Sequence, residues 1–230
     1  MSPAEGANSR IALIGGTGDL GYGLALRWAR AGVPIVIGSR DAGRAREAAE
    51  RVRLGTETNV AVEGCENAEA AAKSSIVVVS VPFPAQAAIL KSIKGSLKNA
   101  ILVDTTVPLA ATVGGKPTRL VGVWEGSAAE QARGLVPPEV PVVAAFHNLS
   151  AEALQDLAHP LDCDILVCGD DTAAKDRVFP LVKLIPGLRP LDAGPLEMAR
   201  IVESVTALLI SLNRRYKSGH AGLRITGLPH

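Results

Sequence analysis

The sequence predicts an α/β protein built on a doubly wound parallel sheet. Three observations carry that expectation. Short apolar runs alternate with helical patterns through the first half of the chain, a spacing that gives right-handed βαβ crossovers and parallel strands. The run at 76–81, Ile-Val-Val-Val-Ser-Val, is the most apolar of all and suits a central strand covered on both faces. At 11–21, Ile-Ala-Leu-Ile-Gly-Gly-Thr-Gly-Asp-Leu-Gly, four apolar residues run straight into a glycine cluster that opens a helix.

Residues 10–14 form the first strand. Gly16, Gly18 and Gly21 then spell G-x-G-x-x-G. Gly16 allows the tight turn, Gly18 lets the backbone approach a pyrophosphate, and Gly21 lets the helix pack close to the strand. The helix at 19–31 places Leu20, Leu24 and Trp28 four apart on one face and closes at Gly32. Its N-terminus offers unpaired N–H groups and a partial positive charge to phosphates. This is the pattern of a Rossmann-type dinucleotide site.

Residues 34–37 form the second strand, and Asp41 starts a helix over 42–53 rich in Ala, Arg and Glu. A short strand at 59–62, a short helix at 66–72 and the strand at 76–81 follow. Pro82 and Pro84 end that strand, a helix runs on to about 93, and 100–103 is the fifth strand. The stretch 105–126 holds Pro108, Gly114, Gly115 and Pro117 with little periodicity, so it is either a lid over the site or a flexible excursion. Ser127-Ala-Ala-Glu130 has the form of a capping box and opens a short helix over 127–133. A strand at 140–145 ends at Phe146-His147-Asn148. Another covers 164–167, with Asp170 or Asp171 capping a helix over 172–184. Residues 188–191 lead into Asp192-Ala-Gly-Pro-Leu196. The last helix, 196–216, carries Ile201, Val205, Leu208, Leu209 and Leu212 on one broad face. Residues 1–9 read as a disordered arm. Residues 1–145 are expected to form the dinucleotide-binding domain and 146–230 a smaller C-terminal α/β region. Ligands of such sheets sit at the carboxyl ends of the strands, so the stretches 15–21, 38–40, 81–84 and 104–108 should share one edge.

Composition narrows the partners. The chain has 230 residues, 47 % of them hydrophobic and 3 % aromatic, so a sizeable aliphatic core can be buried. Twenty-four basic and 23 acidic side chains nearly cancel, which argues against nucleic acid or an anionic membrane as partner. Cys65, Cys163 and Cys168 fit neither a disulfide framework nor a CxxC zinc site. The first residues lack a signal-peptide apolar region, and prolines break the longest apolar stretch. A soluble cytoplasmic protein is the expectation.

The second strand ends in Gly38-Ser39-Arg40, with no acid to accept from a ribose 2′-hydroxyl. Ser39 can donate to a phosphate oxygen. Arg40 and Arg44, one helical turn apart, can reach one anion with parallel donors. The dinucleotide read from these residues is NADP, and Asp41 keeps open a site indifferent to the phosphate. The catalytic types are then sorted by how they handle protons. Tyr-x-x-x-Lys is missing, because Leu26 and His220 stand four residues after Tyr22 and Tyr216. The helix after Gly194 offers Arg200, Glu203 and Asn213 but no Lys. His147 is the one histidine at a strand end on the ligand edge, either a cleft residue or a packed structural one. His159, His220 and His230 read as loop and tail residues, and Asp192 as a turn residue. Asp162, Asp164, Asp170 and Asp171 read as a solvated acidic cluster without the companions of a metal site. An NADP edge with no evident acid or base suits transfer to another redox ring by positioning alone.

At this point the chain resembles the F420-dependent NADP reductases. The likeness rests on Gly15-Gly-Thr-Gly-Asp-Leu-Gly21, Gly38-Ser-Arg40 with Arg44, Val81-Pro82, Val107-Pro108, Phe146-His147 and Val167-Cys-Gly-Asp-Asp171. It rests above all on Gly187-Leu-Arg-Pro-Leu-Asp-Ala-Gly-Pro-Leu196 followed by Arg200-Ile-Val-Glu-Ser204. The resemblance implies hydride transfer between the nicotinamide and the deazaflavin coenzyme F420, with no obligatory acid or base. By position it gives Gly16, Thr17, Gly18, Asp19, Leu20 and Gly21 to the pyrophosphate turn, and Ser39, Arg40 and Arg44 to the 2′-phosphate. Phe83, Ala87 and Ala151 would line the NADP cleft, and His147 and Leu149 would lie near the stacked rings. It also implies a homodimer, with residues 146–230 completing the deazaflavin side. Asn148-Leu149-Ser150 stands where the family tends to have Thr-Ile-Pro, and Phe83 where a Trp often follows Val-Pro. These departures leave FMN, riboflavin or another small acceptor as an alternative to F420, and a non-catalytic NADP sensor as a third reading.

Overall fold

The computed structural model describes residues 10–228; the arm expected at 1–9 and His230 lie outside them. The chain runs β1 (Ile11–Ile14), α1 (Asp19–Arg30), β2 (Ile35–Ser39), α2 (Ala42–Thr56), β3 (Val62–Glu66), α3 (Asn67–Ala72), β4 (Ile76–Val79) and α4 (Phe83–Ile93). It continues through β5 (Ile101–Asp104), α5 (Ala128–Leu135), β6 (Val142–Ala144), α6 (Ala151–Gln155), β7 (Cys163–Gly169), α7 (Thr172–Lys183), β8 (Leu188–Gly194) and α8 (Ala199–Tyr216). Among the described residues the strands form one sheet, ordered β3-β2-β1-β4-β5-β6-β7-β8. Strands β1 to β6 pair in parallel, β7 runs antiparallel to β6, and β8 is parallel to β7. The doubly wound α/β sheet read from the sequence is therefore observed, and the strand direction reverses close to residue 145.

Alternation along each strand divides the core. Ile11 and Leu13 face one layer with Leu24, Trp28, Phe146, Ile165 and Val178. Ala12 and Ile14 face the other with Leu90, Ile93, Leu102, Ala132 and Val202. Trp28 is fully buried. Its indole meets Phe146 edge-on at 5.6 Å and 77°, and its Nε1 donates to the Leu181 carbonyl at 2.8 Å. Truncating such a ring costs about 3–5 kcal/mol, so α1 is clamped to both α7 and the segment after β6.

The third strand lies at Val62–Glu66, not 59–62. Thr58 is held back, donating from its hydroxyl to the Ala29 carbonyl and accepting from the Val60 N–H. Gly64 then packs so tightly on α2 that a Cβ there would sit 2.2 Å from the Ala45 carbonyl oxygen. The run at 76–81 pairs only to Val79, and Ser80 turns inward. Its N–H donates to the Ile14 carbonyl at 2.9 Å. Helix α6, within a stretch the sequence left without an element, has Ser150 as N-cap. The stretch 105–126 is partly folded on itself through a Leu109–Leu120 bridge and a 3-10 turn at Ala110–Val113. Asp171 is the cap of α7. Asp164 is not solvated: its carboxylate is fully buried and takes Arg189 and Arg224 at 2.7 Å each. The arginines hold it well below the usual carboxylate range, Arg189 foremost. No helix among the described residues is long and apolar enough to cross a membrane.

Candidate functional site

The sheet order reverses between β1 and β4, and the crevice at such a switch point opens at the carboxyl ends of the strands. The turn after β1 occupies it. Gly15, not Gly16, takes the left-handed conformation, φ +77°, and a Cβ there would meet Val81 Cγ1 at 2.5 Å. A Cβ on Gly16 would come within 2.8 Å of the Leu13 carbonyl oxygen. One on Gly21 would sit 2.4 Å from Ser80 Oγ and 2.8 Å from Gly16 Cα. Gly18 is different. Its nearest neighbour would be the Gly15 carbonyl oxygen at 3.4 Å, so the protein leaves room there. Gly18 is also the N-cap of α1, and no side chain caps that helix. Among the described residues no side chain caps the first N–H groups of α1, beside Thr17, Asp19 and Leu20.

The turn after β2 lies alongside, because the Gly15 N–H donates to the Gly38 carbonyl at 3.1 Å. Ser39 is buried, and its hydroxyl accepts from the Asp41 N–H. Asp41 Oδ1 accepts from the N–H groups of Gly43 and Arg44, which makes it the cap of α2. Its acid is thereby engaged with the helix. Arg40 and Arg44 are exposed and, among the described residues, have no ion-pair partner. Phe83 and Ala87 lie half-buried on successive turns of α4, which leaves the carboxyl end of β4.

The other wall comes from the segment after β6. Phe146 takes φ +67° inside the core, which turns the chain sharply. His147 follows with its ring 4 % exposed and neither nitrogen partnered. Burial holds its pKa down at about 4, so the imidazole is neutral. Asn148 donates to Cys163 Sγ and the Asp164 carbonyl, and its Oδ1 is unpartnered. Leu149 lines a cavity of about 580 Å³ with Asn148, Ser150, Cys163, His220 and Gly222. Ala151 opens α6, which is drawn onto α1. Gln155 Nε2 donates to the Asp19 carbonyl at 3.2 Å, and Arg27 Nε donates to the Leu154 carbonyl at 2.8 Å. The structure thus assembles the glycine turn, the arginine turn and the 147–151 segment at one edge. His159, read from the sequence as a loop residue, is exposed, paired with Asp156, and lines the same cavity as Leu149.

A buried polar joint behind this edge escaped the sequence reading. Gln86 Nε2 donates to Asp104 Oδ2 at 2.8 Å, to Thr106 Oγ1 and to the Ala128 carbonyl. Burial raises Asp104 to about 6. Glu203, on α8, accepts from the N–H groups of Ala128 and Ala129 at 3.0 and 3.1 Å and so holds the start of α5. Burial raises it to about 8. The available signal was a lone polar residue on an otherwise apolar face: Gln86 on α4, Asp104 closing β5, Glu203 beside Val202.

Comparison with known proteins bears on the whole chain. The family described as NADP oxidoreductase, coenzyme F420-dependent, matches residues 10–108. An F420-dependent NADP reductase of Methanothermobacter thermautotrophicus is 46 % identical over 222 residues, 96 % of each chain. Its counterpart in Methanocaldococcus jannaschii is 45 % identical over 224 residues, 95 % of this chain and 99 % of that one. A crystal structure from Arthrobacter sp. FB24, provisionally assigned as an F420-dependent NADP reductase, superposes with a TM-score of 0.81. It is 26 % identical and is matched over its full length, across 96 % of this chain. Similarity along 96 % of the chain, not the glycine motif alone, places it in the family of F420-dependent NADP reductases, a family of NADP-dependent oxidoreductases.

Proposed function

We propose that the protein transfers a hydride between NADP(H) and the deazaflavin coenzyme F420, directly from ring to ring. The observation that carries the NADP half is the pair Arg40 and Arg44, exposed and without an ion-pair partner among the described residues, beside a helix whose N-cap is a glycine with no side-chain cap. An anion there gains both the helix N–H groups and two guanidinium forks. Residues 1–145 hold the nucleotide in this reading, through Gly16, Thr17, Gly18, Asp19, Leu20 and Gly21 for the pyrophosphate and Ser39, Arg40 and Arg44 for the 2′-phosphate. Phe83, Ala87 and Ala151 flank it. Residues 146–230 supply the acceptor side in this reading, with His147, Leu149 and the cavity that Leu149 lines.

When bound, the nicotinamide and deazaflavin rings supply the hydride chemistry themselves, between C4 of one and C5 of the other. The protein's part is to bind, orient and exclude water. A neutral His147 can offer one N–H and one lone pair to a ring without charging. In this reading no side chain acts as an obligatory acid or base. We also infer that the protein works as a homodimer.

The test mixes the purified protein with NADPH and F420 and follows the visible absorbance of the deazaflavin. Bleaching on addition of NADPH is the expected result, as is its return with reduced F420 and NADP. Turnover of FMN or riboflavin without F420 would overturn the deazaflavin half. NADPH binding with no acceptor reduced would overturn the enzymatic reading.

A further inference from the structure

We propose that the segment between β5 and α5 is a preformed flap, and that its Trp124 closes on the outer face of a planar acceptor ring. That an acceptor ring stands there rests on the hydride-transfer reading above; the flap is argued from its own residues. The segment is not slack. The Ala110 N–H donates to the Arg119 carbonyl and the Val121 N–H to the Pro108 carbonyl, each at 2.8 Å, on either side of the Leu109–Leu120 bridge. Both of its roots lie at the ligand edge. The Thr105 N–H and hydroxyl donate to the Val79 carbonyl at 3.2 and 2.9 Å, so the flap leaves beside the end of β4 and the glycine turn. Where it returns, Glu203 holds the Ala128 N–H and Gln86 holds the Ala128 carbonyl. Gln86 also reaches Asp104 and Thr106, so one buried joint pins both roots. Gln86 stands on α4 next to Ala87 and one turn after Phe83, which brings the flap's return beside the proposed nucleotide cleft.

Trp124 sits just before that return. The Gly126 N–H donates to the Val123 carbonyl at 3.1 Å, closing a turn with Trp124 and Glu125 at its tip. The indole is 99 % exposed and adds nothing to packing. Folded proteins keep few such side chains beyond what binding needs. Glycines bracket the turn. Gly126 has φ +110°, and a Cβ on Gly122 would meet nothing within 4 Å. The tip can therefore swing while the hairpin and α5 stay in place. Four residues separate Trp124 from Ala128, a span of at most about 14 Å, so the indole keeps within reach of the cleft beside α4. The chemistry gives it a target. An acceptor stacked on the nicotinamide turns its other face to water, and hydride transfer is best protected when that face is covered. An indole is large, flat and rigid, and stacks on a planar ring. Other aromatic rings near the edge are engaged elsewhere: Trp28 and Phe146 pack on each other in the core, and Arg51 lies over Tyr22.

The chain has two tryptophans, and buried Trp28 serves as an internal reference. Iodide quenching of the tryptophan lifetimes in the full chain should show one accessible component, which Trp124→Phe removes. Its bimolecular quenching constant is expected to fall at least threefold when NADP and F420 are both bound, and to stay unchanged with NADP alone. Trp124→Ala should keep its Tm and its NADPH dissociation constant and raise the KM for F420 about tenfold; Trp124→Phe should recover most of that loss. If wild type reduces F420 while Trp124→Ala matches its KM and iodide reaches the indole equally in all states, the flap proposal falls and the hydride-transfer reading stands. If Trp124→Ala changes the sedimentation coefficient and not the KM, the indole is a contact with another protein chain, which also overturns the proposal. A wild type that reduces no F420 would overturn both together.

Discussion

The Thr206 hydroxyl donates to the carbonyl oxygen of His147 at 2.7 Å, joining the middle of α8 to the turn that follows β6. That bond ties the last helix to the wall built by the 147–151 segment. Thr206→Val removes the donor and keeps the shape. It should cost about 1–3 kcal/mol, the usual penalty of an unsatisfied buried acceptor. Steady-state kinetics should show the KM for F420 rising severalfold with NADPH affinity unchanged, and Thr206→Ser should recover it. Loss of stability with no change in KM would mean that the bond is only structural.

The two arginines make a sharper prediction. A hydrogen bond to a charged group is worth about 1.5–3 kcal/mol. Arg40→Ala and Arg44→Ala should each weaken NADPH about ten- to a hundredfold in a fluorescence titration. NADH, without the 2′-phosphate, should change by less than about twofold. Equal losses for both nucleotides would show that the arginines do not read that phosphate.

Two glycines of one motif should fail in different ways. Gly18 has φ −83° and ψ 162°, which alanine adopts without strain, and its Cβ would make only ordinary contacts, the nearest with the Gly15 carbonyl oxygen at 3.4 Å. Gly18→Ala should keep its Tm and lose NADPH affinity by about tenfold, because the added methyl occupies the proposed pyrophosphate path. Gly21→Ala would drive a methyl into Ser80 and Gly16. It should lose about 1–3 kcal/mol of stability by overpacking. Thermal melts and nucleotide titrations on both variants separate the two.

Two buried groups should tilt the pH–stability profile in opposite directions. Burial lifts Glu203 from 4.5 to about 8. Its contribution is complete below pH 4.5 and declines as pH rises to about 8. Burial lowers His147 from 6.5 to about 4. Its contribution is complete above pH 6.5 and is lost as pH falls to about 4. In urea midpoints measured from pH 4 to 9, Glu203→Gln should flatten the alkaline decline and His147→Gln the acid one. Parallel profiles for wild type and both variants would refute the assignments.

Much of the architecture was legible because local pattern and tertiary role agree in its first half. An apolar run, a glycine cluster and a helix face with Trp28 are what the finished core uses. Reading failed where a distant residue decides. Asp164 looks like one of four surface acids until Arg189 and Arg224, 25 and 60 residues on, close over it. The third strand, Val-Glu-Gly-Cys-Glu, lacks an apolar alternation, and its place is set by the contact of Gly64 with Ala45. At the candidate site, the glycine and arginine turns could be expected on one edge because each follows a parallel strand. The left-handed Gly15 and the Gln86–Asp104 joint could not, since each exists only once β1, β4 and β5 are side by side.

Arg27 bears on how the molecule is made. Its guanidinium is 4 % exposed and donates to the carbonyls of Ala153, Leu154, Asp156 and His159, up to 132 residues away. Synthesis from the N-terminus completes α1 long before those carbonyls exist. A nascent chain with its first strands in place therefore still holds this cation in water. The guanidinium is wrapped only when the segment through His159 has left the ribosome. The first half of the sheet is written first, and the clasp on Arg27 forms last.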